Sequence, residues 1–261
     1  MSEVPLAATL LLLRDGATGL EVLMVTRHAA TVFAGGAAVF PGGRLDPEDS
    51  SPGLLQRCCA VPSIDTRQMA LRVCAIRETF EEAGLLLARR AGEDELLAGS
   101  EVERVQAELL AKLGHPPDFT ELVVDGALEL ATDLLVPFAH WITPAIRPRR
   151  YDTYFFLAPA PSGQEARHDG HEAVASVWVA PAQAAADGAA QRIKMIFATR
   201  FNLQKLARSA TRDAAFAAAR GDTIVTVCPE YRETPRGLMW RIPIEAGYGV
   251  AETPVQSEVV A

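Results

Sequence analysis

A chain of 261 residues with 49% apolar and 22% charged side chains has the composition of a soluble globular protein able to bury a full core. Its net charge of −8 and the absence of a long basic run argue against a general nucleic-acid-binding surface. The apolar run Leu6 to Leu13 is too short to span a bilayer and no basic leader precedes it, so neither a membrane anchor nor a secretory signal is expected, and the chain reads as cytoplasmic.

Residues 6–14 and 20–27 are apolar runs joined by Asp15-Gly16-Ala17-Thr18-Gly19, which predicts a β-hairpin. Residues 35–43 form a glycine-rich approach, a short strand ending in the loop Phe40-Pro41-Gly42-Gly43. Ser50-Ser51-Pro52-Gly53 and Pro62-Ser63 then predict a loop over residues 50–68. Cys58 and Cys59 lie in it; with Cys74 and Cys228 they show no zinc-like spacing and are expected as reduced thiols.

A helix is predicted from about Arg67 to Glu82, with Met69, Val73, Ile76, Phe80 and Ala83 in one apolar stripe and Gly84 as its left-handed stop. Leu85 to Ala88 reads as a short strand. Ser100-Glu101-Val102-Glu103 has the form of a capping box for a helix reaching Gly114, and a second helix is expected over Asp118 to Leu130. Residues 134–142, 151–158 and 173–180 read as strands. Pro181 opens an interrupted helical region to about Arg220, and strands at 223–228 and 238–243 follow. The last dozen residues read as a disordered tail.

Glu78, Glu81 and Glu82 stand at i, i+3 and i+4, so they share the helix face opposite the apolar stripe. Like charges at that spacing repel, and a divalent cation held by oxygen ligands would offset them; a solvated acidic face is the plainer alternative. Arg77 is read as an orienting residue through an i,i+4 pair with Glu81, or as an ordinary surface ion pair.

The surrounding residues carry a family resemblance. Gly43, then Arg77-Glu78, Glu81-Glu82, Gly84 and Leu85 resemble the signature of the Nudix hydrolases in two pieces. Asp49 stands where that signature has its first glutamate, Thr79 takes an aliphatic position, and 27 residues separate Asp49 from Arg77 where seven are usual. This interruption is similar to the peroxisomal coenzyme A diphosphatase-like subgroup and its relatives, as are Phe40-Pro41-Gly42-Gly43, Trp141-Ile142-Thr143-Pro144, Arg149 to Phe156, and Glu172 with Trp178 and Pro181. The chain ends Glu-Val-Val-Ala without the Ser-Lys-Leu peroxisomal address, in keeping with the cytoplasmic expectation. A second coenzyme A diphosphatase subgroup places an arginine where this chain has Val32, with Arg27 five residues earlier.

The resemblance implies an α+β chain with the Nudix fold, an α/β/α sandwich around a mixed sheet with additional helices. Residues 1–245 are expected as one Nudix domain, with the inserted loop 50–68 and an extra helical segment 91–131 that reads either as a cap or as a dimerisation surface; residues 246–261 form the tail. It implies Mg²⁺ or Mn²⁺ held by Glu78, Glu81 and Glu82. Asp49, one methylene shorter than glutamate, has less reach and is expected to support the ligands from behind or to form a salt bridge, not to bind the metal. It also implies catalysis by Glu78, Arg77 and a general base. Glu172 is favoured as base over Glu78, with Asp169, His168 and His171 nearby in the same loop. Gly42 and Gly43 would bring the backbone to metal or phosphate, although Gly42 also suits a mere tight turn.

Arg147, Arg149, Arg150 and Tyr151 are candidate substrate contacts: guanidinium forks for phosphate and a ring for a base, or else a charged strand edge. The expected reaction is metal-dependent hydrolysis of coenzyme A or acyl-coenzyme A to 3′,5′-ADP and a 4′-phosphopantetheine. Cleavage of ADP-ribose, NADH or a nucleotide sugar is the alternative, and a non-catalytic ligand sensor the more distant one. The partner is a small nucleotide, with no nucleic acid and no membrane, and a homodimer is a family expectation.

Overall fold

A computed structural model describes residues 4–30, 34–168, 170–235 and 237–255. The leading hairpin forms as expected: β1 (Leu6–Gly16) and β2 (Gly19–Arg27) pair antiparallel and close with Gly16 opposite Gly19. The glycine-rich stretch supplies two short strands, β3 (Ala38–Val39) on β2 and β4 (Gly42–Arg44) on β1. A 3₁₀ turn (Pro47–Ser50), α1 (Pro52–Leu55) and the long α2 (Thr66–Ala83) follow. Next come β5 (Ala88–Arg90), α3 (Gly99–Leu113), α4 (Phe119–Val124) and β6 (Leu128–Leu130), then β7 (Val136–Ile142), β8 (Asp152–Pro159) and β9 (Ala173–Val179). Helices α5 (Pro181–Ala189), α6 (Phe197–Leu206) and α7 (Arg212–Gly221) precede β10 (Thr226–Val227), β11 (Glu230–Thr234), β12 (Gly237–Arg241) and β13 (Glu252–Pro254).

The main sheet is mixed and runs β10-β7-β8-β1-β2-β3, with β4 also paired to β1 and β9 to β2. β1 lies parallel to β8, and β7 parallel to β10. The unbroken leucine run of β1 reflects burial on both faces, since successive side chains alternate. Leu10, Leu12, Leu23 and Val25 pack with α2, α3 and α4; Leu11, Leu13, Val22 and Met24 pack with Phe201, Leu203 and Phe216 of α6 and α7. The result is the expected α/β/α sandwich. Among the described residues no helix is long and apolar enough to cross a membrane.

Helix α2 starts where Asp65 accepts from the Gln68 N–H at 2.7 Å and stops at Gly84, whose φ of 69° is the left-handed cap. It is not the two-sided helix that its apolar stripe predicts. Arg72, Glu78, Thr79 and Glu82 are buried with the apolar residues, because β4 and the 3₁₀ turn cover the side that the wheel assigned to water. Thr79 is satisfied there by donating to the Ala75 carbonyl at 2.7 Å.

Several other expectations are corrected. The helix expected to run to Leu130 ends at Val124; Ala127 turns at φ 52°, and Leu128 and Leu130 enter β6 against β5. Leu85 to Leu87 form no strand, because the Gln164 side chain substitutes for one by accepting from the Leu86 N–H and donating to the Leu86 carbonyl. Helix α3 is capped two residues before Ser100, where Glu101 reaches back to the Ala98 N–H at 2.9 Å.

The segment 50–68 is not a plain surface loop. Leu54 of α1 is buried in the main core, and the backbone around Cys59 joins β6: the Cys59 N–H donates to the Leu130 carbonyl (2.9 Å), and the Leu130 N–H to the Arg57 carbonyl (2.6 Å). The thiols are free, and burial pushes the Cys58 pKa up to about 12.

The C-terminal end departs most from expectation. β11, β12 and β13 form a second small sheet, and within the stretch expected as tail Tyr248 is buried in the core and β13 pairs with β12. Residues 256–261 of that tail lie outside the described residues. Tyr248 is held by a buried chain in which the Trp141 Nε1–H donates to the tyrosine oxygen (2.8 Å), which donates to Asn202 Oδ1 (2.7 Å). Tyr248→Phe would strand both neighbours and should cost about 1–3 kcal/mol, read as a lower urea midpoint with unchanged slope.

Candidate active site

Two pieces of chain remote in sequence meet at the carboxylate end of α2. The loop from β4 is fastened by Asp49, whose side chain is fully buried and takes two bonds from Arg77: Nε to Oδ1 at 2.7 Å and Nη2 to Oδ2 at 2.9 Å. Oδ2 also accepts from the Asp46 N–H, so this aspartate caps its own turn while gripping the helix. The salt-bridge position expected for Asp49 is the one observed. Arg77 spends Nη1 on Glu78 (2.9 Å) and on Glu81 (3.0 Å). Burial alone would lower its pKa, but Asp49 and Glu78 more than offset that, and it stays a cation.

Glu78, Glu82 and Glu172 each bring one carboxylate oxygen into a group within 4.8 Å of one another. Glu81, also expected to hold the metal, is half exposed and pairs with Arg77. Glu172, expected as a base, is the third member of the group. Glu172 precedes β9, and its carbonyl accepts from the His28 N–H at 2.9 Å, which draws the 170–172 turn to the end of β2. Of the other residues in that loop, His168 and His171 are exposed, and Asp169 lies outside the described residues.

Glycines let the loop close onto the carboxylates. The Gly42 N–H donates to Glu82 Oε2 at 3.0 Å, and a Cβ there would sit 2.5 Å from the Ala8 carbonyl oxygen. A Cβ on Gly43 would run into the Glu78 carboxyl group. The buried carboxylates hold their protons unusually well. Burial raises the Glu78 pKa from 4.5 to about 7, against the lowering effect of Arg77. Burial likewise raises Glu82 to about 8, against Arg27 and the Gly42 N–H. Three converging carboxylates, two of them buried and reluctant to ionise, suit a hard divalent cation.

Glu78 and Glu172 border a cleft of about 350 Å³. Its lining also includes Gly42 and Gly43, and Arg147, Arg149 and Tyr151 from the β7–β8 loop. Arg150 is not among the lining residues: its Nε donates to the Thr143 carbonyl (2.8 Å), stapling that loop. Of the three arginines expected as substrate contacts, Arg147 and Arg149 line the cleft and Arg150 braces the loop behind them.

Sequence reasoning missed two sets of lining residues. Arg27 ends β2, lines the cleft beside Glu82, and has a buried Nε without a hydrogen-bond partner. A polar residue closing an apolar strand was its one local signal. Phe197 and Trp240, from α6 and β12, form the aromatic wall with Trp141, and nothing local announces them.

Residues 59–206 match the family described as the NUDT19 Nudix domain. The chain is similar to acyl-coenzyme A diphosphatase NUDT19 of Gallus gallus, 28% identical over 224 residues that cover 63% of this chain and 55% of the relative. To the Homo sapiens protein of that name it is 29% identical over 209 residues, covering 64% and 55%. The chain thus spans about half the length of these curated relatives. The crystal structure of a NUDIX hydrolase from Alicyclobacillus acidocaldarius superposes with a TM-score of 0.66 at 29% identity, covering 83% of this chain and 97% of that one.

Two predictions follow from this geometry. Gly43→Ala should leave the melting temperature nearly unchanged, because only the flexible end of Glu78 must move, yet weaken divalent-metal binding; Gly42→Ala meets backbone and should lower the melting temperature by several degrees. With pKa values raised from 4.5 to about 7 and about 8, the folded protein binds more protons than the unfolded chain across that window. Stability in chelator should therefore be greatest at the acid end and fall as pH rises through those values, and Glu82→Gln should flatten the fall in melts run across that window.

Proposed function

The chain belongs to the Nudix hydrolases, and from that premise we propose that it cleaves the diphosphate of coenzyme A or acyl-coenzyme A, giving 3′,5′-ADP and a 4′-phosphopantetheine species. The observation that carries this reading is the cleft itself, whose lining combines the carboxylates Glu78 and Glu172 with Arg147, Arg149 and Tyr151. Such a lining suits a diphosphate bearing a second, separate phosphate. The relatives named acyl-coenzyme A diphosphatase support the choice of substrate.

Glu78, Glu82 and Glu172 would hold Mg²⁺ or Mn²⁺, which when bound neutralises the diphosphate and acidifies a water. The rest is assigned to the chain's own groups. Arg77 fixes the Glu78 carboxylate, and the Gly42 N–H fixes that of Glu82. Arg27 presents positive charge to the diphosphate next to Glu82. Glu172, the exposed member of the group, takes the proton of the attacking water through the carboxylate oxygen that it does not offer to the metal. Arg147 and Arg149 face the second phosphate, with Tyr151 beside them.

Purified protein with Mg²⁺ or Mn²⁺ should be offered coenzyme A, acyl-coenzyme A, ADP-ribose, NADH and sugar nucleotides, and the products resolved by mass. Release of 3′,5′-ADP is expected; cleavage of ADP-ribose or NADH with coenzyme A untouched overturns the substrate, and binding without turnover of anything overturns the activity. Glu82→Gln should cut kcat by about a hundredfold or more, and Arg27→Ala should cut kcat/KM by about tenfold or more, while both variants keep the native far-UV spectrum.

A further inference from the structure

A cluster of polar side chains with its own chemistry lies outside the cleft. Trp141, Thr153 and Phe155 line the cleft, so their neighbours along β7 and β8, His140, Asp152 and Tyr154, stand on the opposite face of the sheet. Strand pairing sets Thr226 of β10 opposite His140, and His140 opposite Tyr154, in one row across three strands. The imidazole in the middle is bonded at both nitrogens: Nδ1 to Thr226 Oγ1 at 2.7 Å, and Nε2 to Asp152 Oδ1. The Tyr154 ring stacks on it with centroids 4.1 Å apart, and Arg67 Nη2 lies 3.9 Å from Asp152 Oδ2.

The proton positions follow from the partners. An ionised carboxylate can only accept, so Nε2 carries the hydrogen, and the Nδ1 lone pair of the neutral ring accepts from the threonine hydroxyl. Asp152 and the stacked tyrosine hold the ring in that tautomer and orientation. Thr226 is exposed, and its branched Cβ restricts the hydroxyl to few positions. A hydroxyl, a base within hydrogen-bond reach and a carboxylate that orients the base are together what activates an alcohol for attack. β10 ends the sheet, so alternate peptide N–H groups of that strand point outward, as donors for an oxyanion forming beside Thr226.

We propose that Thr226 is a nucleophile, activated by His140 and Asp152, that accepts acyl groups from thioesters and other activated esters at a site separate from the diphosphate cleft. The threonine oxygen adds to the acyl carbonyl carbon while its proton passes to His140 Nδ1. The tetrahedral adduct then collapses: the bond to the leaving sulfur or oxygen breaks, and that atom takes the proton back from His140. Thr226 is left as an O-acyl ester beside a free thiol or alcohol, with no change in oxidation state.

The full chain, kept in chelator to silence the cleft, should be treated with p-nitrophenyl acetate, quenched in acid and mapped by peptide mass. An acetyl group on Thr226 is the expected result. Its rate of appearance should fall about tenfold or more in His140→Gln and in Asp152→Asn, and Thr226→Ser should keep the label at that position. In Thr226→Val, which preserves the side-chain shape, the labelled peptide should stay unmodified while the melting temperature is nearly unchanged. Acetyl groups carried by Cys228 or by lysines with Thr226 unmodified would overturn the proposal. Labelling of Thr226 that persists at the native rate in both His140→Gln and Asp152→Asn would overturn it too, since the row would then brace the strands without activating the hydroxyl.

Discussion

Everything at this site depends on one buried ion pair, the two-pronged contact between Arg77 and Asp49. Asp49 lies before the insertion and Arg77 after it, so the pair joins two stretches that the chain separates by 27 residues. Because the same guanidinium also touches Glu78 and Glu81, it transmits the position of the loop to the helix carboxylates. A planar fork with five donors can do this; a lysine, with a single point of charge, cannot grip both sides at once. The aspartate, shorter than the glutamate usual at its position, fits because it sits on a 3₁₀ turn close against α2.

The carboxylates beyond that clamp are held in a strained electrostatic state. Glu78 and Glu82 are buried near each other and near Glu172, and burial together with mutual repulsion opposes their ionisation. Arg27, Arg77 and the Gly42 N–H relieve part of this but leave the group short of positive charge. The helix tolerates the arrangement because its remaining surface is buried in the core, so packing outweighs a few unfavourable charges.

Local chemistry was readable from the chain alone; assembled chemistry was not. The β1–β2 turn, the Gly84 cap and the span of α2 depend on residues within a few positions, and they were legible. The end of α4 was missed because Leu128 and Leu130 also suit a helical period, and β5 decides in favour of a strand. The convergence of Glu172 with Glu78 and Glu82 is not legible locally, because only the tie from His28 to the 170–172 turn brings that glutamate in. The aromatic wall is the extreme case: Phe197 and Trp240 sit in different elements from Trp141 and converge only after the second sheet folds back.

The docking of residues 57–59 onto β6 ties two stretches that the sequence keeps far apart. The insertion and the segment containing α3 and α4 supply each other's missing backbone partners, with Leu130 bonded on both sides by Arg57 and Cys59. Deleting either one would leave the other with unpaired groups at a buried edge. The two segments therefore depend on one another for backbone pairing. Among the described residues neither lines the cleft, yet the first reaches the chemistry indirectly, since its Asp65 caps the helix that carries Glu78 and Glu82.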